Sequence, residues 1–163
     1  MDRLWAPWRM IYIVQNKKEK GCVLCRIYRE KREDSKNFVV YRSKYCFALL
    51  NIYPYNNGHT MIVINRHVKS LEKLEKSEFL DLLETIVKTQ NVIKKILKAE
   101  GFNIGMNIGK VAGAGIESHL HLHIVPRWHG DTNFMPIIGN TKVIPQSLKE
   151  VYKNMRKCLQ EKK

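Results

Sequence analysis

The sequence predicts antiparallel strands accompanied by one long amphipathic helix, and three observations carry that prediction. Between Ser118 and Arg127, His119, His121 and His123 alternate strictly with Leu120, Leu122 and Ile124, a period of two that belongs to a strand. Apolar residues from Leu71 to Leu97 recur instead at spacings of three and four, the period of a helix. Segments of β character at 38–41, 45–50, 59–64 and 103–109 are joined by loops rich in Gly, Asn and Pro, which favours antiparallel, hairpin-like pairing.

Taken in order, residues 1–20 are aromatic and then basic. Trp5, Trp8, Met10, Ile11, Tyr12 and Ile13 are too apolar for a free tail, and Pro7 argues against a helix interior there. Cys22 opens a short helix running to about Arg32. Phe38–Tyr41 and Tyr45–Leu50 read as strands, the turn-rich Asn51–Gly58 follows, and His59–Ile64 resumes β character. The long helix covers Ser70 to about Glu100. Residues 70–76 are set off as a separate turn if Ser77 caps the main segment, and Gly101 ends the helix. Its apolar residues, Leu71, Leu74, Phe79, Leu82, Leu83, Ile86, Val87, Val92, Ile93, Ile96 and Leu97, form a core stripe. Asn103–Gly109 is a glycine-bearing strand, Lys110–Gly115 a flexible loop, and Pro145–Leu159 a C-terminal amphipathic helix.

The 163 residues suit one domain: a core at about 21–128, an N-terminal aromatic extension at 1–20, and a C-terminal loop and helix at 129–163. No apolar run approaches the length of a membrane span, and the first residues lack the apolar core of a signal peptide, so a cytoplasmic location is expected. The net charge of +14 fits polyanionic ligands. Nucleic acid is not expected as a partner, because no RNA-binding aromatic signature or DNA-reading motif accompanies the charge.

On a strand, His119, His121 and His123 share one face, with same-face neighbours roughly 6.5–7 Å apart, and the aliphatics take the other. Adjacent imidazoles are poor filling for a dry core, so that face must look into a cleft. Three readings are open: satisfied structural histidines, a catalytic metal held by His-x-His with Glu117 as base, or phosphate chemistry in which a neutral imidazole attacks while its neighbours donate hydrogen bonds. Cys22-Val23-Leu24-Cys25 has the spacing of a metal or redox pair, though two ligands are then missing, and free cysteines at a helix start are the alternative.

The run His119-Leu120-His121-Leu122-His123-Ile124-Val125 resembles the histidine-triad (HIT) motif, His-φ-His-φ-His-φ-φ with φ apolar. Leu50-Asn51-Ile52-Tyr53-Pro54-Tyr55-Asn56-Asn57-Gly58-His59 resembles the family's nucleotide-binding loop, and Asn107 stands where the family places Asn or Gln. The resemblance covers roughly residues 21–128. The head Leu4-Trp5-Ala6-Pro7-Trp8-Arg9 and the tail Pro126–Phe134 resemble the bacterial branch that includes diadenosine tetraphosphate phosphorylases and is related to the fragile-histidine-triad hydrolases. One departure is Gly115, where a Gln is common four residues before the first histidine.

The resemblance implies an α+β fold: a five-stranded antiparallel sheet, a long helix on one face, and a homodimer whose sheets join edge to edge. It implies an enzyme that acts on the α-phosphate of a dinucleoside polyphosphate, diadenosine tetraphosphate first, through a nucleotidyl-histidine intermediate. His121 would attack, with His123 and His119 beside it. Leu49, Leu50 and Ile52 would hold the base and Asn51 a ribose hydroxyl. Asn107, Ser118 and the amides around Gly115 would donate to phosphate. Arg127 would neutralise distal phosphates and Trp128 would stack on a second base. A structural zinc would be bound by Cys22, Cys25, His59 and His119. A nucleotide-sensing protein of low turnover, or a nucleoside phosphoramidate hydrolase, is the alternative.

Overall fold

A computed structural model of the chain describes residues 21–139 and 141–161; the readings made above for 1–20 lie outside them. Five strands form one antiparallel sheet in the order β1-β2-β3-β5-β4: β1 Val39–Arg42, β2 Cys46–Leu50, β3 Thr60–Ile64, β4 Gly101–Gly105 and β5 His121–Arg127. Among the described residues, the helices of seven residues or more are α1 Val23–Arg29, α2 Lys76–Leu97 and α3 Leu148–Gln160, with three-residue turns at Lys31–Glu33, Leu71–Lys73 and Lys110–Ala112. A single helical turn lies at Met135–Ile138.

Alternation along the strands sorts their side chains into two layers. Val40, Cys46, Ala48, Leu50, Ile62, Ile64, Leu122 and Ile124 face α2 and α3, meeting Leu82, Ile86, Val92, Ile93, Val151 and Met155 in the main core. The opposite face carries Val39, Phe47, Leu49 and Val63 under Leu24 and Ile27 of α1. The long helix therefore lies on one face as expected, and the short cysteine-led helix covers the other.

The register fixes what shares that second face. One row crosses the sheet from Val39 through Leu49 and Met61 to His123. A second runs from Phe47 through Val63 to His121. The histidines of β5 thus continue a floor whose β1 and β2 portion is apolar.

Several boundaries differ from the sequence reading, each for a local reason. The N-cap of α2 is Glu75, not Ser77: the Glu75 N–H donates to the Glu78 carboxylate at 2.9 Å, an N-terminal device of the capping-box kind. The helix stops at Leu97 because Lys98 adopts the left-handed conformation with φ 54°. Gly101 accordingly starts β4, pairing with Arg127, and that strand spans 101–105 instead of 103–109. Phe79, Leu83 and Val87 of the expected core stripe are exposed, because only the α2 face carrying Leu82, Ile86 and Ile93 meets the sheet. The C-terminal helix begins at Leu148, capped by Ser147 Oγ, which accepts from the Glu150 N–H at 3.2 Å. Among the described residues no helix is long and apolar enough to cross a membrane.

Candidate active site

Between α1 and the histidine end of the sheet lies a cavity of about 360 Å³. Met61, Leu49 and Ile27 give it an apolar wall, and His121, His123 and Asn107 stand at its polar end. Leu49, Leu50, Asn51, Ile52 and Gly115 line it as well. The Leu50 side chain, however, packs into the helix-side core, so Leu49 alone of that pair belongs to the floor. Ser118 is absent from the lining and borders a smaller adjoining pocket with Cys22 and Glu117.

His121 is buried, and its Nδ1 lies 2.8 Å from the carbonyl of His119, two residues before it. A carbonyl only accepts, so Nδ1 carries the proton and Nε2 keeps a bare lone pair. Burial pushes the His121 pKa down, against the opposing pull of that carbonyl. The imidazole is held neutral, in the tautomer a nucleophile needs.

His123 is held by a chain of unambiguous polarity. The Tyr55 backbone N–H donates to His59 Nδ1 at 3.0 Å, so His59 is protonated on Nε2. His59 Nε2 lies 2.9 Å from His123 Nδ1 and donates to it. When His123 is neutral its own proton therefore sits on Nε2, as a donor. The rings reinforce this order: Tyr55 stacks on His59 with centroids 4.7 Å apart, and His121 meets His123 edge-on at 5.1 Å. His59 is fully buried, and its pKa is pushed down to about 3 by burial, with smaller contributions from His123, His121 and Lys142.

Around the histidines, the Asn51 Oδ1 accepts from the Tyr53 N–H at 2.9 Å, an Asx turn that shapes the loop and leaves the amide nitrogen over for other partners. Asn107 Nδ2 reaches the Gly113 carbonyl at 3.5 Å, a long contact across the glycine-rich loop.

His119 falls just before β5 and leaves the histidine face. It meets Cys22, Cys25 and His67 in a group whose ligand atoms all lie within 4.8 Å of one another. Its Nδ1 is 3.3 Å from Cys22 Sγ and 3.4 Å from Cys25 Sγ, and His67 Nδ1 is 3.1 Å from Cys25 Sγ. These separations are slightly shorter than the roughly 3.5 Å edge of a tetrahedral zinc site with N and S ligands. His119 Nε2 donates to the Ile64 carbonyl at 2.7 Å, which leaves Nδ1 free to ligate, as outer-shell bonds do for metal-binding histidines. The expected fourth ligand, His59, is not in this group: both its ring nitrogens are committed to Tyr55 and His123. His67 takes that place, brought there as the chain leaves β3, where the Leu120 N–H also bonds the Val68 carbonyl at 2.6 Å. Nothing in the spacing of His67 marks it in the sequence.

Arg127 and Trp128 both have partners within the fold. Arg127 grips Asp131 through Nε at 2.6 Å and Nη2 at 2.8 Å and reaches Asn103 Oδ1 at 2.9 Å. Hydrogen bonding from Arg127 is the main reason the Asp131 pKa falls to about 2. Trp128 Nε1 donates to the Leu97 and Lys98 carbonyls at 3.1 and 3.0 Å, closing the end of α2. Neither lines the cavity.

Known proteins resemble this chain in sequence and in fold. A HIT-domain family model matches residues 32–130. Over 156 residues the chain is 42% identical to an AP-4-A phosphorylase of Mycobacterium tuberculosis, covering 92% of this chain and 80% of that one. Over 93 residues it is 39% identical to an asymmetrical bis(5'-nucleosyl)-tetraphosphatase of Schizosaccharomyces pombe, covering 57% and 50% respectively. A Zn-bound histidine triad family protein from Mycobacterium smegmatis superposes with a TM-score of 0.69 at 25% identity, over 86% of this chain and 94% of that structure.

Proposed function

The chain belongs to the HIT-domain family, and from that premise we propose that it is a nucleotidyl transferase that cleaves dinucleoside polyphosphates, diadenosine tetraphosphate first among them, with inorganic phosphate as the acceptor. The observation that carries this reading is the bare, neutral His121 Nε2 at the polar end of a nucleoside-sized cavity. The 42% identity to an AP-4-A phosphorylase supports the substrate and the acceptor.

In the first half-reaction His121 Nε2 attacks the α-phosphorus. A phosphorus–nitrogen bond forms, the bond from that phosphorus to the bridging oxygen breaks, and ATP leaves from diadenosine tetraphosphate. His123, with Nε2–H held outward by His59, donates to the phosphate oxygens as charge moves onto them. Asn107 and the amides of the glycine-rich loop add neutral donors, and Asn51 Nδ2 binds a ribose hydroxyl. In the second half-reaction a phosphate oxygen attacks the adenylyl-histidine, His121 departs, and ADP forms. Water in the same role yields AMP. The negatively charged substrate is drawn in by the chain's excess of basic residues.

Cys22, Cys25, His67 and His119 suit zinc, two thiolates and two imidazoles with no open position, which marks a structural site. When bound, zinc would tie α1 to the approach to β5, and hence the base wall to the catalytic strand. A homodimer is supported by β4, whose outer side has no strand partner among the described residues and presents an exposed Ile104; such an edge invites pairing.

The test is product analysis with diadenosine tetraphosphate and isotopically labelled phosphate. ADP carrying the label at its β-position, together with ATP, is expected. AMP and ATP, with no labelled ADP, would make the enzyme a hydrolase, and no cleavage would remove the reading.

A further inference from the structure

The polar end of the cavity is accounted for by the reaction; its far end is not. The row His123–Met61–Leu49–Val39 crosses three strand intervals, about 14 Å at the usual spacing. Met61 and Leu49 form a flat apolar floor, and Leu24 and Ile27 of α1 stand above it. With a phosphate at the histidines, a base lying along this apolar wall of the cavity has its outer edge toward β1.

Asn37 stands at that end. It lines the cavity, anchored by its backbone N–H to the Glu33 carbonyl at 2.9 Å. The next residue, Phe38, has φ 54°, a left-handed conformation that is uncommon for a bulky residue. That turn sends the Phe38 ring to the helix layer, edge-on to Tyr152 of α3 at 5.9 Å, while Asn37 stays on the cavity side. Asn37 Nδ2 is buried and has no hydrogen-bond partner among the described residues. A buried amide without a partner calls for an explanation, and a ligand is one. The cations beside it are engaged: Arg26 pairs with Glu30 at 2.9 Å and Lys36 with Glu33 at 3.5 Å.

Resting on the nucleotide reading of the cavity, we infer that Asn37 is the base-reading residue and that it selects a 6-aminopurine. A carboxamide offers one donor and one acceptor in a plane, the complement of adenine, whose exocyclic amine donates and whose adjacent ring nitrogen accepts. The terminal amide torsion is broad, so both atoms can turn to the ring edge. A purine without the 6-amino group leaves the Oδ1 acceptor unmatched, and sites built around such a contact discriminate against the lacking analogue.

The experiment measures dissociation constants of AMP and purine riboside monophosphate, which lacks the 6-amino group, for the full chain and for Asn37→Leu and Asn37→Asp. Wild type is expected to prefer AMP by on the order of ten- to a hundredfold. Asn37→Leu should bind both alike. Asn37→Asp keeps the acceptor and loses the donor, so it should weaken both while still preferring AMP; it also decides the matter if the leucine variant fails to fold. Unchanged preference in Asn37→Leu, AMP affinity unchanged in Asn37→Asp, or no preference in wild type overturns the inference alone. Binding of neither nucleotide by wild type overturns the nucleotide reading with it.

Discussion

Replacing His59 with asparagine isolates one titration whose size the structure sets. His59 is fully buried between Tyr55 and His123, and its pKa falls from an ordinary 6.5 to about 3. Below pH 6.5 the unfolded chain takes up a proton at this position and the folded chain does not. Folding stability is therefore intact above pH 6.5 and is lost as the pH falls toward 3. The slope reaches roughly 1.4 kcal/mol per pH unit. Between pH 7.5 and pH 4.5 this one group removes about 2.5 kcal/mol, a large share of a domain's usual stability. Asparagine does not titrate. It loses a hydrogen bond, which lowers stability by about 1–3 kcal/mol at every pH, so only the pH-dependent part reports the burial of His59. His119 and His121, whose pKa values burial also lowers, remain in both proteins and cancel. Urea denaturation at pH 7.5 and 4.5 should show wild type losing about 2.5 kcal/mol more than His59→Asn over that range. Equal losses would refute the buried, neutral His59 and the tautomer it imposes on His123.

Three further outcomes follow from the site. Protein purified without chelators should carry about one zinc per chain, reduced in His67→Ala and retained in His59→Asn; metal analysis that reverses this pair would restore His59 as the ligand. Light scattering at micromolar concentration should give twice the chain mass, and Ile104→Lys on the β4 edge should shift it toward the monomer; a monomeric wild type would contradict edge pairing. Trp128→Phe, which loses the donor to the end of α2, should lower stability by about 1 kcal/mol with kcat/KM little changed, whereas a large fall in kcat/KM at unchanged stability would return Trp128 to the substrate.

The elements were legible because their patterns are local. Alternation placed His121 and His123 on one face of β5, and the three-and-four spacing located α2. What escaped depends on contacts between distant segments. His119 keeps the alternation in sequence but lies before β5 begins, so its ring turns to the cysteines while its carbonyl orients His121. His67 follows β3 at a position with no motif, and only the packing of that loop against residues 119–120 makes it a ligand candidate. Asn37 precedes an unremarkable β segment; the left-handed Phe38 that presents it leaves no mark a non-glycine residue would show. Arg127 and Trp128 read as substrate contacts, and the internal partners that hold them, Asp131 and the α2 carbonyls, come together only in the fold.

The proposed mechanism rests on a covalent bond between His121 and the α-phosphorus, and acid-labile adduct mapping tests it most directly. Enzyme mixed with diadenosine tetraphosphate labelled at the α-phosphate, without acceptor phosphate, and quenched in alkali within one turnover should carry label on the peptide containing His121. The label should be lost on brief acid treatment, chased into ADP by inorganic phosphate, and absent from His121→Ala, whose turnover should fall by several orders of magnitude. Rapid turnover with no label on that peptide, or near-normal turnover in His121→Ala, would contradict the mechanism.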